Sequence, residues 1–348
     1  MAALRPLLLA TVSACLIVAL AACSSDDEAA PSGGPTPVTP DAFILYRNSS
    51  AAIIARNLAT GDLFEYPPDL DTGAVVATAC SPDGSRLALL KQPFDIVNRQ
   101  LLVAGRDALA EPIALPPAVQ GIEWSPDNSR IVYTEFDGIA NEYSVSVLDV
   151  ATGRSTALTS EEGVPGSPSW SPDSSTVAYS VQDVLGTESS IYLLNTTESG
   201  PPTRVEASED LLYYDPEWSP DGSMLLVAGQ GETDTQLYEV DRETGAAEKF
   251  TTSDVYKRRP RYAPDGTLIA YTGSVIPETV SRSITVLHQF GIFLLDAEGG
   301  NERALTADPR LNPGAGIDPD LDAFLMGWCL PGPWLDDSWS EIVGTPAP

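Results

Sequence analysis

Residues 218–222 read Trp218-Ser219-Pro220-Asp221-Gly222, and variants of this string recur along the 348-residue chain. The others are Cys80-Ser81-Pro82-Asp83-Gly84, Trp124-Ser125-Pro126-Asp127-Asn128, Trp170-Ser171-Pro172-Asp173-Ser174 and Tyr262-Ala263-Pro264-Asp265-Gly266. Their leading residues are spaced by 44, 46, 48 and 44 positions. Proline presets φ for the first corner of a turn, aspartate bonds the backbone two residues on, and glycine takes the left-handed exit. The string therefore reads as a hairpin connection, and its aspartates as turn residues rather than catalytic acids. The large residue ahead of it is expected to fill the gap between neighbouring sheets.

A β-rich run follows each copy: Arg86–Leu90, Arg130–Thr134, Thr176–Ser180, Met224–Ala228 and Leu268–Thr272. A third run leads into an Asp/Asn-rich turn, as in Val145–Val150, Ile191–Asn195, Leu237–Asp241 and Ile292–Asp296. A fourth closes on Leu158-Thr159, Phe250-Thr251 or Leu305-Thr306. Four strands in about 45 residues make one propeller blade. A blade cannot bury both faces alone, so blades must stack in a ring. The expected fold class is all-β. Composition agrees, since 30 Pro and 27 Gly with only 20% charged residues argue against long helices.

These residues closely resemble the TolB-type, WD-repeat-like propeller family, whose repeat is an aromatic residue, SPDG and an Ile/Leu-Ala-aromatic strand. The resemblance covers residues 43–330 and implies six four-stranded antiparallel blades. The sixth unit is split. Phe43–Asn48 and Ala51–Glu65 look like its later strands, and Phe324–Trp328 like its first strand, supplied from the other end of the chain. Such an exchange of terminal strands would close the ring and remove free sheet edges. In that ring Cys80 and Cys329 lie on innermost strands of neighbouring blades, which makes them a candidate disulfide. Two separately buried thiols are the alternative, because Cys80 aligns with Trp328 and one residue of offset turns a side chain to the other face. TolB proteins carry an α/β domain before the propeller, whereas only a tether is expected here. Relatives of prolyl oligopeptidase carry a hydrolase domain after theirs, and none is expected in residues 333–348.

The N-terminus reads as an address. Arg5 precedes an apolar run, Leu7 to Leu20, and Leu20-Ala21-Ala22-Cys23 resembles a bacterial lipobox. The sulfur of Cys23 is the nucleophile that thioether lipidation needs. The expected organisation is a lipoprotein signal peptide at 1–22, a lipidated disordered tether at 23–41, a propeller at 42–332 and a tail at 333–348. The expected location is the cell envelope, held to a membrane by lipid. Ser24 points to the outer membrane, facing the periplasm, if the source has one; otherwise the outer face of the plasma membrane is expected.

The formal net charge is −30, which repels phosphate backbones and argues against a nucleic-acid partner. No G-x-S-x-G elbow, H-E-x-x-H or P-loop occurs. The one histidine, His288, falls in a loop-like insertion, where it reads as a solvated or packing residue. His and Cys are too few for an ordinary zinc site. Asp318, Asp320 and Asp322 alternate like the start of a calcium loop, but the glycine and distal glutamate do not follow. No catalytic residue, metal or cofactor is therefore assigned, and the chain is expected to be a monomer.

If the SPDG turns share one face, the loops between second and third strands and between blades share the other. That face is expected to collect 135–142, 209–215, 255–261 and 273–290. Candidate partner-binding residues are Tyr213, Tyr214, Tyr256, Lys257, Arg258, Arg259 and Arg261. The basic group among them reads either as local compensation for neighbouring acids or as a site for an anionic or polar ligand. Glu123, Ser169, Glu217 and Arg261 each precede a leading aromatic residue and are candidate channel residues. The leading functional reading is a non-enzymatic, lipid-anchored propeller that binds an envelope protein or polymer through its loop face. A lyase or hydrolase at the channel mouth, using Glu123, Glu217, Arg261 and His288, is the alternative, and a purely structural envelope protein is a third.

Overall fold

The computed structural model describes residues 42–47, 52–66, 74–93, 99–105, 113–115, 119–137, 142–198, 200–207, 211–231, 234–274, 290–306 and 324–329. Cys23, His288, Asp318, Asp320, Asp322 and the 333–348 segment lie outside them.

Among the described residues every regular element is a strand, and the strands form six antiparallel sheets. The first blade contains β1 (Phe43–Arg47), β2 (Ile53–Asn57) and β3 (Leu63–Tyr66). The second is β4 (Ala74–Cys80), β5 (Leu87–Gln92), β6 (Arg99–Ala104) and β7 (Ile113–Leu115). The third is β8 (Gln120–Trp124), β9 (Arg130–Asp137), β10 (Glu142–Asp149) and β11 (Arg154–Ala157). In the fourth, β12 (Val164–Pro165) and β13 (Ser169–Trp170) both pair with β14 (Thr176–Gln182), followed by β15 (Ser189–Asn195) and β16 (Thr203–Arg204). The fifth is β17 (Leu212–Trp218), β18 (Met224–Gln230), β19 (Thr235–Asp241) and β20 (Ala247–Lys249). The sixth is β21 (Tyr256–Tyr262), β22 (Leu268–Ser274), β23 (Phe290–Asp296) and β24 (Arg303–Ala304). Finally β25 (Phe324–Cys329) pairs with β1, setting Ile44 opposite Trp328 and Phe43 opposite Cys329.

Burial follows position in the blade. The second strands are covered on both faces, so β5 and β22 read as apolar runs rather than alternating ones. The outermost strands are short and exposed, as in β11 and β16. Six apolar clusters occupy the six gaps between adjacent sheets. Leu90, Leu101, Trp124 and Tyr133 fill the gap between second and third blades. Ile44, Tyr46, Ala270 and Ile292 fill the gap between first and sixth.

The turns repeat one hydrogen-bond pattern. In the fourth blade the Ser171 and Ser175 hydroxyls donate to Asp173 Oδ1, 2.6 and 2.8 Å away, and the Ser175 N–H adds a third bond at 3.0 Å. Blades are also clamped to one another. Arg86 lies over the Trp124 ring at 4.5 Å and Arg130 over Trp170 at 4.6 Å. Trp124 Nε1 donates to the Ala79 carbonyl (3.0 Å), Trp218 Nε1 to Ser169 (3.2 Å) and Trp328 Nε1 to Arg261 (3.0 Å). Each of these three indoles thus bonds the residue just before the leading position of the preceding blade.

That pattern explains the seam. Trp328 turns towards the sixth blade, and the next residue of the strand, Cys329, turns the other way, towards the second. Cys80, at its own leading position, faces back to the first blade. The two cysteines meet in a disulfide with Cα atoms 5.4 Å apart. The one-residue offset brings them together because neighbouring blades meet opposite face to opposite face.

Candidate functional site

Each innermost strand carries one extra residue relative to its partner. The register slips between Val75 and Ala77, Gln120 and Ile122, Tyr214 and Glu217, and Arg258 and Arg261. A similar slip interrupts β25 against β1, and in the fourth blade it falls between β12 and β13. Such bulges re-aim side chains and sharpen the bend. In three blades the residue three before the leading aromatic has positive φ: Gly121 (52°), Asp215 (50°) and Arg259 (53°). Glycine adopts that conformation without strain, whereas an arginine is displaced from its normal range by about 1–2 kcal/mol.

Below the bulges, Glu123, Ser169, Glu217 and Arg261 form one polar cluster. Arg261 Nη1 donates to Glu217 Oε2 at 2.7 Å, and the Ser169 hydroxyl donates to the same oxygen at 3.1 Å. Arg261 Nη2 pairs with Glu123 Oε2 at 3.5 Å. The sixth and third blades are opposite in a ring of six, so Arg261 spans the axis and obstructs the channel at this level. The carboxylates also tie blades together: Glu123 Oε1 accepts the Trp170 N–H at 2.9 Å, and Glu217 Oε1 the Tyr262 N–H at 3.3 Å.

Two carboxylates share one guanidinium in a desolvated place. Burial, with the Glu217 charge adding to it against Arg261, pushes Glu123 up to about 7. Burial raises Glu217 as well, with Arg261 opposing. Arg261 is held above its ordinary value because Glu217 and Glu123 outweigh the burial that disfavours its charge.

The level of the bulges is basic. Burial alone would raise the Asp215 pKa, but Arg258 and Arg259 hold it below the usual carboxylate range. Arg258 Nε donates to Asp215 Oδ2 at 2.8 Å, and the Arg259 N–H reaches the same oxygen at 3.2 Å. Arg258 stacks over Tyr214 at 4.3 Å, and the Tyr214 hydroxyl accepts from Gln182 Nε2 at 2.8 Å. This chain of contacts leads to the β14–β15 hairpin, whose tip leaves Val184 76% and Leu185 80% exposed.

Several sequence expectations change here. Residues 256–262 form the innermost strand β21 rather than a loop, because the run is a leading strand whose bulge falls at Arg259-Pro260. Residues 212–215 likewise belong to β17. Tyr213 and Tyr214 are buried between blades, and Lys257 is fully enclosed, its Nζ donating to Ser253 Oγ and the Val255 carbonyl. Burial withdraws these three from any partner surface. Tyr256, Arg258 and Arg259 keep exposed surface, and Arg261 belongs to the channel cluster. Asp215 and Gln182 were not singled out from sequence. The signal for Asp215 is a proline two residues before the aromatic, shared by Pro168-Ser169-Trp170, Pro216-Glu217-Trp218 and Pro260-Arg261-Tyr262. Aligned on it, Asp215 and Arg259 occupy one position. Among the described residues, no group of three or more His, Cys, Asp or Glu could hold a metal ion.

A family model described as the TolB beta propeller domain matches residues 94–320. No curated protein matches the chain by sequence. Among solved structures, TolB from Acinetobacter baumannii superposes with a TM-score of 0.61 at 13% identity, over 83% of this chain and 66% of that one. The chain therefore spans just under two thirds of that protein's length. A protein assigned to TolB from Agrobacterium tumefaciens gives 0.54 at 18% identity, over 76% of this chain and 88% of its own. Oligogalacturonate lyase from Vibrio parahaemolyticus gives 0.52 at 17% identity, over 77% and 80%. At these identities the likeness is one of fold.

Proposed function

The chain belongs to the TolB β-propeller family, and from that premise we propose that it is a lipid-anchored envelope protein that binds another envelope component through its loop face. The observation that carries the binding reading is the exposed pair Val184 and Leu185 at the β14–β15 tip, linked through Gln182 and the buried Tyr214 to Arg258 and the exposed Arg259. Exposed aliphatic and arginine side chains on one face are features that interface centres use. Cys23 carries the lipid in this reading, and the 24–41 tether lets the propeller reach its partner.

Two measurements test it. Detergent phase partitioning is expected to carry the wild-type protein into the detergent phase and Cys23→Ala into the aqueous phase. Wild-type protein left in the aqueous phase refutes the anchor. A photo-crosslinker at position 185 is expected to yield a discrete adduct in intact cells, lost with Arg258→Ala. A diffuse smear unaffected by that substitution refutes the binding face.

One observation favours a second reading. Glu123, raised to about 7, has the poise of a general base near neutral pH. A lyase-type site at the channel would need it, and Glu123→Gln would then abolish turnover of a polyuronide while leaving the lipid anchor unaffected. Against this reading, the Glu123 carboxylate already bonds Trp170 and pairs with Arg261.

A further inference from the structure

Lys257 breaks a rule that the other repeats keep. The residue five before the leading position is buried in each of the five copies: Val75, Val119, Pro165, Tyr213 and Lys257. Register supports the equivalence, since Val75, Pro165, Tyr213 and Lys257 lie opposite Lys91, Val181, Gly229 and Gly273, each eleven residues past its own leading position. Four of the five are apolar, and the fifth is a lysine with 0% exposure. Enclosing an ammonium where an apolar side chain fits is unfavourable, and apolar replacement of such a charge is often neutral or stabilising. Places where one copy departs from a local rule in this way are where function is expected.

The ammonium is aimed at a serine. Lys257 Nζ donates to Ser253 Oγ at 2.7 Å and to the Val255 carbonyl at 2.8 Å, and it lies 3.6 Å from Glu302 Oε2. Ser253 Oγ in turn donates to Glu302 Oε2 at 2.9 Å. One hydroxyl is thus held between a cation that donates to its oxygen and a carboxylate that accepts its proton. The backbone of the serine is fixed from behind. Gln236 Nε2 donates to the Ser253 carbonyl at 2.7 Å, and the Thr251 hydroxyl donates to Gln236 Oε1 at 2.9 Å. Gln236 and Thr251 are buried, whereas Ser253 is half-buried between the exposed Thr252 and Asp254. The backbone N–H groups of Ser253 and Asp254 make no hydrogen bond among the described residues.

We propose that Ser253 is a nucleophile towards acyl esters, with Glu302 as its general base and Lys257 balancing the charge that develops on Oγ. An activated hydroxyl needs a base within hydrogen-bond reach and a third group that orients the pair, and Glu302 and Lys257 meet both needs. On attack, Oγ bonds the carbonyl carbon while Glu302 takes the hydroxyl proton. The ester C–O bond then breaks, and the alcohol leaves with that proton. Water cleaves the acyl-serine by the same route, which frees the carboxylic acid and restores the hydroxyl. The N–H groups of Ser253 and Asp254 are the donors at hand for the carbonyl oxygen as it gains charge. This activity is separate from the Glu123–Arg261 cluster, and it depends on neither the lipid anchor nor the loop-face partner.

The test incubates the mature full-length protein with a fluorophosphonate probe and, separately, with p-nitrophenyl acetate. In the probe reaction an Oγ–P bond forms, the P–F bond breaks and fluoride leaves. Mass spectrometry is expected to find a single adduct, on Ser253, and nitrophenol is expected to appear faster than in buffer. Ser253→Ala should abolish both. Lys257→Met supplies the apolar side chain that four repeats already have, so it is expected to melt no lower than wild type and yet to label about a hundredfold more slowly. Glu302→Gln keeps the shape of the carboxylate, removes the base and should slow labelling by about the same factor. A lysine that only supports the fold would give the reverse pattern in Lys257→Met, a lower Tm with labelling unchanged. That result overturns the proposal. So does the absence of an adduct on Ser253, or one that forms equally fast in Glu302→Gln.

Discussion

At the Ser-Pro-Asp turns, Asp173 and Asp221 each accept bonds from two serine hydroxyls and a backbone N–H, which hold both carboxyls down to about 2. At Asp127 burial pushes the carboxyl up, but its bonds from Ser125 and Ser129 and the Arg130 charge together outweigh it and hold the group down to about 2. Only a few positions away along the same hairpins, Glu123 and Glu217 are pushed up instead, because they are enclosed and must share Arg261. The hydrogen bonds to these turn carboxylates are local: every donor lies within two residues, so each repeat can satisfy its aspartate unaided. The channel chemistry is assembled from the third, fourth, fifth and sixth blades at once, so no repeat can satisfy its glutamate alone. Stability at the turns is therefore divided among copies, whereas at the axis it is held in common.

Four experiments break or sharpen that contrast. The largest effect is expected from deleting residues 324–348, which removes β25, Trp328 and Cys329 together. One buried Trp is itself worth about 3–5 kcal/mol. Circular dichroism should show loss of the cooperative melt, and an unchanged Tm would refute closure through β25. Next comes Arg261→Met, which strands Glu217 and Glu123 without their cation. Breaking a buried pair from one side costs about 3–5 kcal/mol, read as a shift in the urea midpoint.

The third experiment separates the two carboxylate classes by pH. Glu123 has a folded pKa raised from 4.5 to about 7, so the folded state holds more protons in that window. Its contribution is complete below about 4.5 and is lost as pH rises through 7. Glu123→Gln should flatten the stability profile between pH 5 and 7.5, to about the resolution of a denaturant titration. The turn aspartates act with the opposite sign, since their folded pKa values lie below the ordinary 3.8. Their contribution is complete above about 4 and is lost as pH falls towards 2. The smallest effect is expected from Asp173→Ala, about 1 kcal/mol for an exposed turn whose neighbours in the ring remain intact. A loss as large as that of Arg261→Met would show that the turns also act collectively.

The same division decided what could be read in advance. Turns and second strands were legible because their determinants are contiguous: Trp218 to Gly222 specifies a hairpin by itself, and Leu225 to Ala228 is an apolar run long enough to be buried on both faces. The innermost strands were harder. β21 holds Lys257, Arg258, Arg259 and Pro260, which in isolation argue for an exposed loop. Only the ring supplies Asp215, Glu217 and the bulge that accommodate them. Glu123, Ser169, Glu217 and Arg261 could be aligned from the repeat, but their mutual bonding depends on facing strands from other blades. The burial of Tyr213 and Tyr214 was hidden for the same reason, since the sheets that cover them belong to the fourth and sixth blades rather than to their own.

The bond between Cys80 and Cys329 joins residues 249 positions apart, so nearly everything from the second blade to the end of β25 lies on one covalent macrocycle. A protease that severs a single loop within that span opens the circle without dividing the molecule. The nicked chain would run as one piece on a non-reducing gel and as two after reduction, and the blades on either side of the cut would stay in register. In an oxidising compartment, where such a bond persists, one cut within the circle would be damage without loss of a part.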